Sequence, residues 1–414
     1  MSPFPAALPI TLFRGLVEWF SLPLLCVCFL HALAVMRVLR RLKPLQPVTC
    51  GENEVQDVSV LVPARNEEER IGECLRSLLA QEPPVREVIL LDDRSTDGTV
   101  GIALGLGFSE EQGSRFRIVR GRDLPDGWVG KNWACHQLSL AADPGSGHLL
   151  FTDADTVHGS ACVRTSLGHA IRNRADLLSV WPEQITGSWS EKLIIPLGYL
   201  LFTAFQPLVL LSWLQDNPVR ARSWSARGLG ALGAANGQFL LFRRDSYRQL
   251  GGHEVLKDHL VEDIAFGRRV ASRTGEGMRL INADGISLLR CRMYQDFPGV
   301  WEGFSKNLRP VFENSAASFV LFGVMVVVLF LLPLALPFLP GGDGPATRAA
   351  LITLVLLRLL LTLRYRTSWL GFFGHPAGIL LALAMALNSW RLCSTGGVRW
   401  KGRSYPGMEG SSLG

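Results

Sequence analysis

Phe151-Thr152-Asp153-Ala154-Asp155-Thr156 is the stretch on which the reading of this chain turns. It continues the apolar His148-Leu149-Leu150, and together they read as a short buried strand ending in two carboxylates. Alternate side chains of an extended chain share a face, so Asp153 and Asp155 are expected to point into one small volume. Carboxylates held that close repel, and coordination of a hard divalent cation by their oxygens is the usual relief. Such a cation can bridge the phosphates of a nucleotide and neutralise the charge that a departing diphosphate develops. A bare Asp-x-Asp also occurs at ordinary strand-to-loop transitions. The neighbouring segments weigh between the two.

Val58 to Pro63 is a β-branched, mostly apolar run and reads as a buried parallel strand. It breaks at Pro63 into Ala64-Arg65-Asn66-Glu67-Glu68-Glu69, and acidic residues then open a helix with Ile71, Leu75, Leu78 and Leu79 at helical spacing. Val85 to Leu91 reads as a second strand, ending in Asp92-Asp93-Arg94-Ser95-Thr96-Asp97-Gly98-Thr99, which either caps the next helix or reads a ligand. Arg117-Ile118-Val119 is a short third strand, and Leu149 to Thr152 a fourth. Strands alternating with helices imply an α/β chain whose mostly parallel sheet is covered on both faces. Ligands bind such sheets outside the carboxyl ends of the strands, where the acidic clusters fall.

Between the third and fourth strands, Lys131 of Gly127-Trp128-Val129-Gly130-Lys131-Asn132 can reach a phosphate, although the full phosphate-loop spacing is missing. A surface lysine beside packed tryptophans is the plainer alternative. Further on come Ala235-Asn236-Gly237-Gln238, Gly251-Gly252-His253 and Val261-Glu262-Asp263. Glu262 and Asp263 open a helix that runs through Arg268, Arg269 and Val270, and helix-end electrostatics alone explains an acidic pair there. A catalytic reading requires Asp263 within reach of an acceptor hydroxyl. Arg290, Arg292, Tyr294, Trp301, Lys306 and Asn307 form a cationic-aromatic segment just before a hydrophobic one.

The chain has 414 residues, 48% hydrophobic and 19% charged, with a net charge of +6. Its apolar residues are unevenly spread, and many cations flank the apolar runs: Arg37, Arg40, Arg41 and Lys43 after the first, Arg399, Lys401 and Arg403 after the last. That placement fits lipid headgroups and excludes a nucleic-acid groove as the main reading. The eight cysteines make no CxxC pair, so reduced, mostly buried thiols are expected. Trp19 to Met36 is long enough to cross a bilayer, and positive charge follows it, which reads as a retained anchor over residues 1–43 rather than a cleaved signal. Residues 44 to 56 form a polar linker with Pro44 and Pro47. Leu193 to Leu214 is uncharged but carries Pro196, Gly198, Gln206 and Pro207, so it reads as an interfacial or re-entrant segment, with a buried core helix as the alternative. Ala316 to Pro340, Ala349 to Leu363 (with Arg358) and Trp369 to Trp390 are three more candidate spans, within a membrane region over 316–390, and a basic tail occupies 391–414. Basic groups lie on both sides of the third, so charge bias leaves that topology open.

With Val58–Glu69, Leu91–Thr99, Phe151–Asp155, Asn236–Gln238 and Glu262–Asp263 in this order, the chain resembles the lipid-directed or processive family-2 glycosyltransferases with the GT-A fold, over roughly residues 57–310. The resemblance implies a Rossmann-like nucleotide-diphospho-sugar transferase domain over 57–312 with flanking transmembrane helices. With one anchor, three later apolar segments and Trp301-Glu302-Gly303-Phe304-Ser305-Lys306-Asn307, the likeness narrows to bacterial membrane enzymes of hopanoid and carotenoid glycoside pathways, and more distantly to ceramide glucosyltransferases. By that resemblance Pro63, Arg65, Glu67 and one of Asp92 and Asp93 line the nucleotide pocket, Lys131 stabilises the diphosphate, and Asp153 and Asp155 hold Mg2+ or Mn2+ on it. Asp263 takes the place of the general base, with Asn236, Gly237, Gln238, Glu262 and Trp301 around the acceptor. The Gln-x-x-Arg-Trp motif of the cellulose and ceramide branches is absent, and Trp301 to Asn307 stands in its region. The implied reaction is inverting transfer from a nucleotide sugar, a UDP-sugar first, to a lipid hydroxyl at the cytoplasmic face of the cell membrane. A polyprenyl-phosphate acceptor is the nearest alternative, and a non-catalytic membrane scaffold the more distant one.

Overall fold

In a computed structural model the described residues are 10–46, 51–313, 315–395, 397–400 and 403–405. Pro47, Lys401 and residues 406–414 of the expected basic tail lie outside them.

The strands are β1 (Val58–Ala64), β2 (Glu87–Asp92), β3 (Phe116–Arg120), β4 (His148–Thr152), β5 (Thr156–His158), β6 (Leu177–Trp181), β7 (Glu183–Gln184), β8 (Phe239–Arg243), β9 (Leu280–Asp284) and β10 (Leu289–Cys291), followed by β11 (Val398–Trp400) and β12 (Arg403–Tyr405). Seven of them form one sheet in the order β3-β2-β1-β4-β8-β6-β9. Alternate residues of its central strands enter different cores. Val58, Val60, Val62, Val88 and Leu90 face one apolar cluster, while Leu61, Ile89 and Leu91 face another. Burial on both faces is why these strands read as continuous apolar runs.

The four strands expected from the first 152 residues all form, each within about two residues of its expected ends. Three more members, β6, β8 and β9, escaped sequence reading, because five-residue runs do not separate strand from helix. The sheet is mostly parallel, as expected, with one exception. β8 runs antiparallel to both β4 and β6, in register Thr152↔Phe239. That reversal carries the segment before β8, Asn236-Gly237-Gln238, to the carboxyl end of β4. A smaller sheet, β5-β10-β7, stands beside that end.

Among the described residues, four helices are long and apolar enough to cross a membrane: Val17–Arg41, Ala316–Phe338, Pro345–Arg364 and His375–Ser394. Large apolar side chains such as Phe20, Leu30, Leu321, Leu356 and Leu387 project outward from them, as lipid contact requires. The last span begins at His375 rather than Trp369, since Trp369–Phe373 is a separate short helix. The Leu193–Leu214 run is two helices, Trp189–Phe205 and Leu208–Asp216, bent by 47° where Gln206 and Pro207 interrupt them. Pro196 sits inside the first without ending it. That helix packs on Ile10–Arg41, Pro345–Arg364 and His375–Ser394 and so joins the sheet domain to the apolar helices.

A buried ion pair locks the same junction. Asp284, fully buried at the end of β9, meets Arg364 at 2.7 Å. Its backbone N–H donates to the Lys43 carbonyl and its carbonyl accepts from Leu45 N–H, while Arg364 also donates to the Leu42 carbonyl. Arg364→Ala leaves a buried carboxylate without its cation, and a loss of about 3–5 kcal/mol is expected. Asp284→Asn removes the charge itself and should lower the melting temperature in detergent less than Arg364→Ala. Equal losses from the two variants would rule out charge pairing as the cause.

Candidate active site

The carboxyl ends of β1, β2 and β4 and the segment preceding β8 surround a cavity of about 740 Å³. Pro63, Arg65, Glu67, Asp93, Lys131, Asp153, Asp155, Asn236, Gly237, Gln238, Glu262 and Asp263 line it. Asp92 and Trp301 do not. Asp92 faces the other way, accepting from Ser95 N–H at 3.0 Å and pairing with Arg120 at 3.0 Å. Trp301 lies on the flank of the Phe297–Asn307 helix that packs into the apolar cluster of the membrane helices. Gly299, Glu302 and Lys306 of that helix, spaced three and four residues apart, face the cavity instead.

Lys131 joins the two acidic groups. It is the second residue of the Gly130–Ala141 helix, and its Nζ lies 2.7 Å from Asp153 Oδ1 and 2.9 Å from Glu262 Oε1. Burial disfavours the ammonium, but Asp153 and Glu262 outweigh it and hold the Lys131 pKa well above its ordinary value. Glu262 reciprocates: burial opposes its charge, and Lys131 prevails to bring its carboxyl below the usual range. The bland reading of a surface lysine therefore does not describe this side chain.

Asp263 follows Glu262 in the first turn of the Glu262–Ser272 helix. Its Oδ2 accepts from Gly237 N–H at 2.8 Å and its Oδ1 from Ile264 N–H at 2.8 Å. A Cβ on Gly237 would stand 3.1 Å from Asp263 Oδ2, so glycine there permits the close approach. Burial, then the neighbouring Glu262 charge, pushes the Asp263 carboxyl up to about 6. Asn236 and Gln238 bond to each other: Gln238 N–H donates to Asn236 Oδ1 at 3.0 Å, and the Asn236 amide to Gln238 Oε1 at 3.2 Å. Gln184 also donates to Gln238, whose amide reaches Cys291 Sγ. These side chains shape the loop that presents Gly237.

Asp153 and Asp155 leave the end of β4 on the same side, with Ala154 buried between them. Burial, then Asp153 and Glu67, pushes the Asp155 carboxyl up to about 6. An all-oxygen pair in which one carboxyl is so disfavoured as an anion fits a hard divalent cation. Among the described residues no third histidine, cysteine or carboxylate completes a ligand set, so phosphate and water oxygens would fill the remaining positions.

Two cations that the sequence assigned elsewhere reach this cavity, Lys306 and Arg403. Burial brings the Lys306 ammonium down to about 8, with Glu262 pulling the other way. The spacing of Gly299, Glu302 and Lys306 could have revealed the helix face. No local signal points to Arg403.

Two family models match the chain: Glycosyl transferase family 2 over residues 59–220 and Glycosyl transferase family 21 over residues 219–406. A 4,4'-diaponeurosporenoate glycosyltransferase of Staphylococcus aureus (strain USA300) is 26% identical over 409 residues, 94% of this chain and 98% of that one. Among solved structures, a mannosyltransferase from Pyrobaculum calidifontis in complex with GDP-Man and Mn2+ aligns at a TM-score of 0.48 and 18% identity, over 90% of this chain and 99% of that one. Glucosyl-3-phosphoglycerate synthase from Mycobacterium tuberculosis aligns at 0.39 and 17%, over 69% and 86%.

The ion triad makes a pH-dependent prediction. A depressed Glu262 pKa contributes stability that is complete above the unfolded glutamate value and is lost as pH falls through the folded one. Lys131→Met removes that contribution, so the gap in melting temperature between wild type and variant should be wider at about pH 7 than at about pH 3, below the unfolded glutamate value. A gap independent of pH over that range would show that Lys131 stabilises by packing alone.

Proposed function

We propose that this chain is a glycosyltransferase of the family-2 type with a GT-A fold, and that it transfers a sugar, with inversion, from a nucleotide-diphospho-sugar to a hydroxyl of a membrane lipid. The observation that carries the reading is the one cavity shared by Asp153, Asp155 and Asp263, in which Lys131 bridges Asp153 to Glu262, the neighbour of Asp263. A UDP-sugar is the first donor to test. A terpenoid of the carotenoid or hopanoid kind, or a glycolipid precursor, is the acceptor class. The near full-length likeness to a relative whose name specifies a carotenoid acid supports a carotenoid-type acceptor.

The chemistry follows from where each group is held. The acceptor oxygen attacks the anomeric carbon from the face opposite the diphosphate, forming the new C–O bond as the sugar-to-phosphate bond breaks. The hydroxyl proton passes to Asp263, whose oxygens are aimed by the Gly237 and Ile264 N–H groups and keep further accepting capacity. Lys131, between Asp153 and Glu262, places positive charge at the donor end. Mg2+ or Mn2+ held by Asp153 and Asp155 would neutralise the charge on the departing diphosphate. One base and one leaving group, with no second carboxylate nucleophile, imply inversion. The Arg37, Arg40, Arg41 and Lys43 cluster after the first apolar helix supports a cytoplasmic transferase domain.

Purified protein incubated with radiolabelled UDP-sugars, Mn2+ and lipid extract should place label in the organic phase, and EDTA should abolish it. Asp263→Asn is expected to lower turnover by about 10²- to 10⁴-fold with little change in donor KM. Equal turnover in the variant would remove Asp263 from the role of base. An Asp263 carboxyl near 6 must be deprotonated to accept the proton, so kcat/KM should fall as pH drops below about 6. An acid limb near pH 4 would place an ordinary, unperturbed carboxylate in that role.

A further inference from the structure

The hairpin of β11 and β12 comes after the last apolar helix, more than 300 residues after β2 in sequence, yet it closes the donor end of the cavity. Its approach is anchored in two ways. Leu392 and Cys393, in the last turns of the His375–Ser394 helix, pack with Val129 on Leu260. β11 also lies against the Phe297–Asn307 helix, which carries Glu302 and Lys306 into the same cavity. From β12, Arg403 extends a fork onto Asp93: Nη1 donates to Oδ2 at 2.6 Å and Nη2 to Oδ1 at 2.9 Å. Both side chains are largely buried, 16% and 7% exposed. The guanidinium occupies the place where a Cβ of residue 130 would stand, and residue 130 is glycine. Three positions distant in sequence, 93, 130 and 403, thus fit one another at the cavity wall.

We infer that Arg403 is a donor-positioning residue, and that the β11–β12 hairpin is a strap completing the nucleoside end of the site. The inference rests on the nucleotide-sugar reading of this cavity. Two parallel N–H···O bonds fix the plane of the Asp93 carboxylate, which a point charge would not do. Each carboxylate oxygen accepts more than one hydrogen bond, so Asp93 retains capacity for the N–H of a base or the O–H of a ribose. Arg65 supports the same wall by donating to the Asp93 carbonyl at 2.7 Å. A strap that leaves the end of a membrane helix and terminates on the donor pocket also ties donor binding to the acceptor side, because the Phe297–Asn307 helix touches both.

The test measures UDP affinity and steady-state kinetics of the full chain in detergent. Arg403→Ala should weaken UDP binding and raise donor KM by roughly 10- to 100-fold, with the acceptor KM close to wild type. Arg403→Lys keeps the charge but loses the fork, so it should also raise donor KM several-fold, which a purely electrostatic role would not require. Combined with Asp93→Asn, the Arg403→Ala loss should be strongly non-additive. If Arg403→Ala and Arg403→Lys both bind UDP within about twofold of a wild type that does bind it, the positioning role is overturned while the transferase reading stands. If wild type itself binds no nucleotide, the donor reading falls and this inference with it.

Discussion

Lys131 lies between Asp153 and Glu262 at 2.7 and 2.9 Å, and the rest of the site is arranged around that ammonium. Without it, Asp153 and Glu262 would lose the cation they share, and burial would push the Glu262 carboxyl up. With it, the charge divides in a useful way. Glu262 is held ionised beside its partner, whereas Asp155 and Asp263 remain perturbed upward, each toward a different task. Burial disfavours both of these carboxyls as anions. On the proposed reading, the first belongs to the pair that would hold a metal and the second would take the proton.

The second constraint is the meeting of two solvents. In the proposed reaction a charged sugar nucleotide stays in water and a lipid acceptor in the bilayer, which calls for a sheet domain held at the membrane face. The contacts that hold it are specific. Asp284 at the edge of the sheet takes Arg364 from one apolar helix while the segment after another pairs with its backbone. The Trp189–Phe205 helix fills the space between sheet and bundle. The Phe297–Asn307 helix divides its faces, with Glu302 and Lys306 toward the cavity and Trp301 toward the apolar cluster.

Much of this was legible in the chain itself. The apolar runs ending in carboxylates marked the parallel strands, because a strand buried on both faces has a composition that few other elements share. Asp153 and Asp155 were visible from period-two geometry, and the spans from length and the absence of charge. Glu262 and Asp263 were visible too, though their position at a helix start could not tell capping from chemistry. The adjacent Asp92 and Asp93 could not be told apart either: where the strand runs into the loop, one turned to Arg120 and the other to the cavity.

What the sequence determined by itself, then, was the elements whose signal is local: the first four strands, the spans, and the acidic pairs at strand and helix ends. Only the tertiary structure decided which of those groups meet. The antiparallel entry of β8 brought Gly237 N–H onto Asp263, a helical rotation of about 100° per residue put Lys306 in the cavity and Trp301 outside it, and a hairpin beyond the membrane helices laid Arg403 on Asp93. Each of these is a contact between residues far apart in the chain, set by packing and strand direction, and such contacts leave no periodicity in the sequence that joins them.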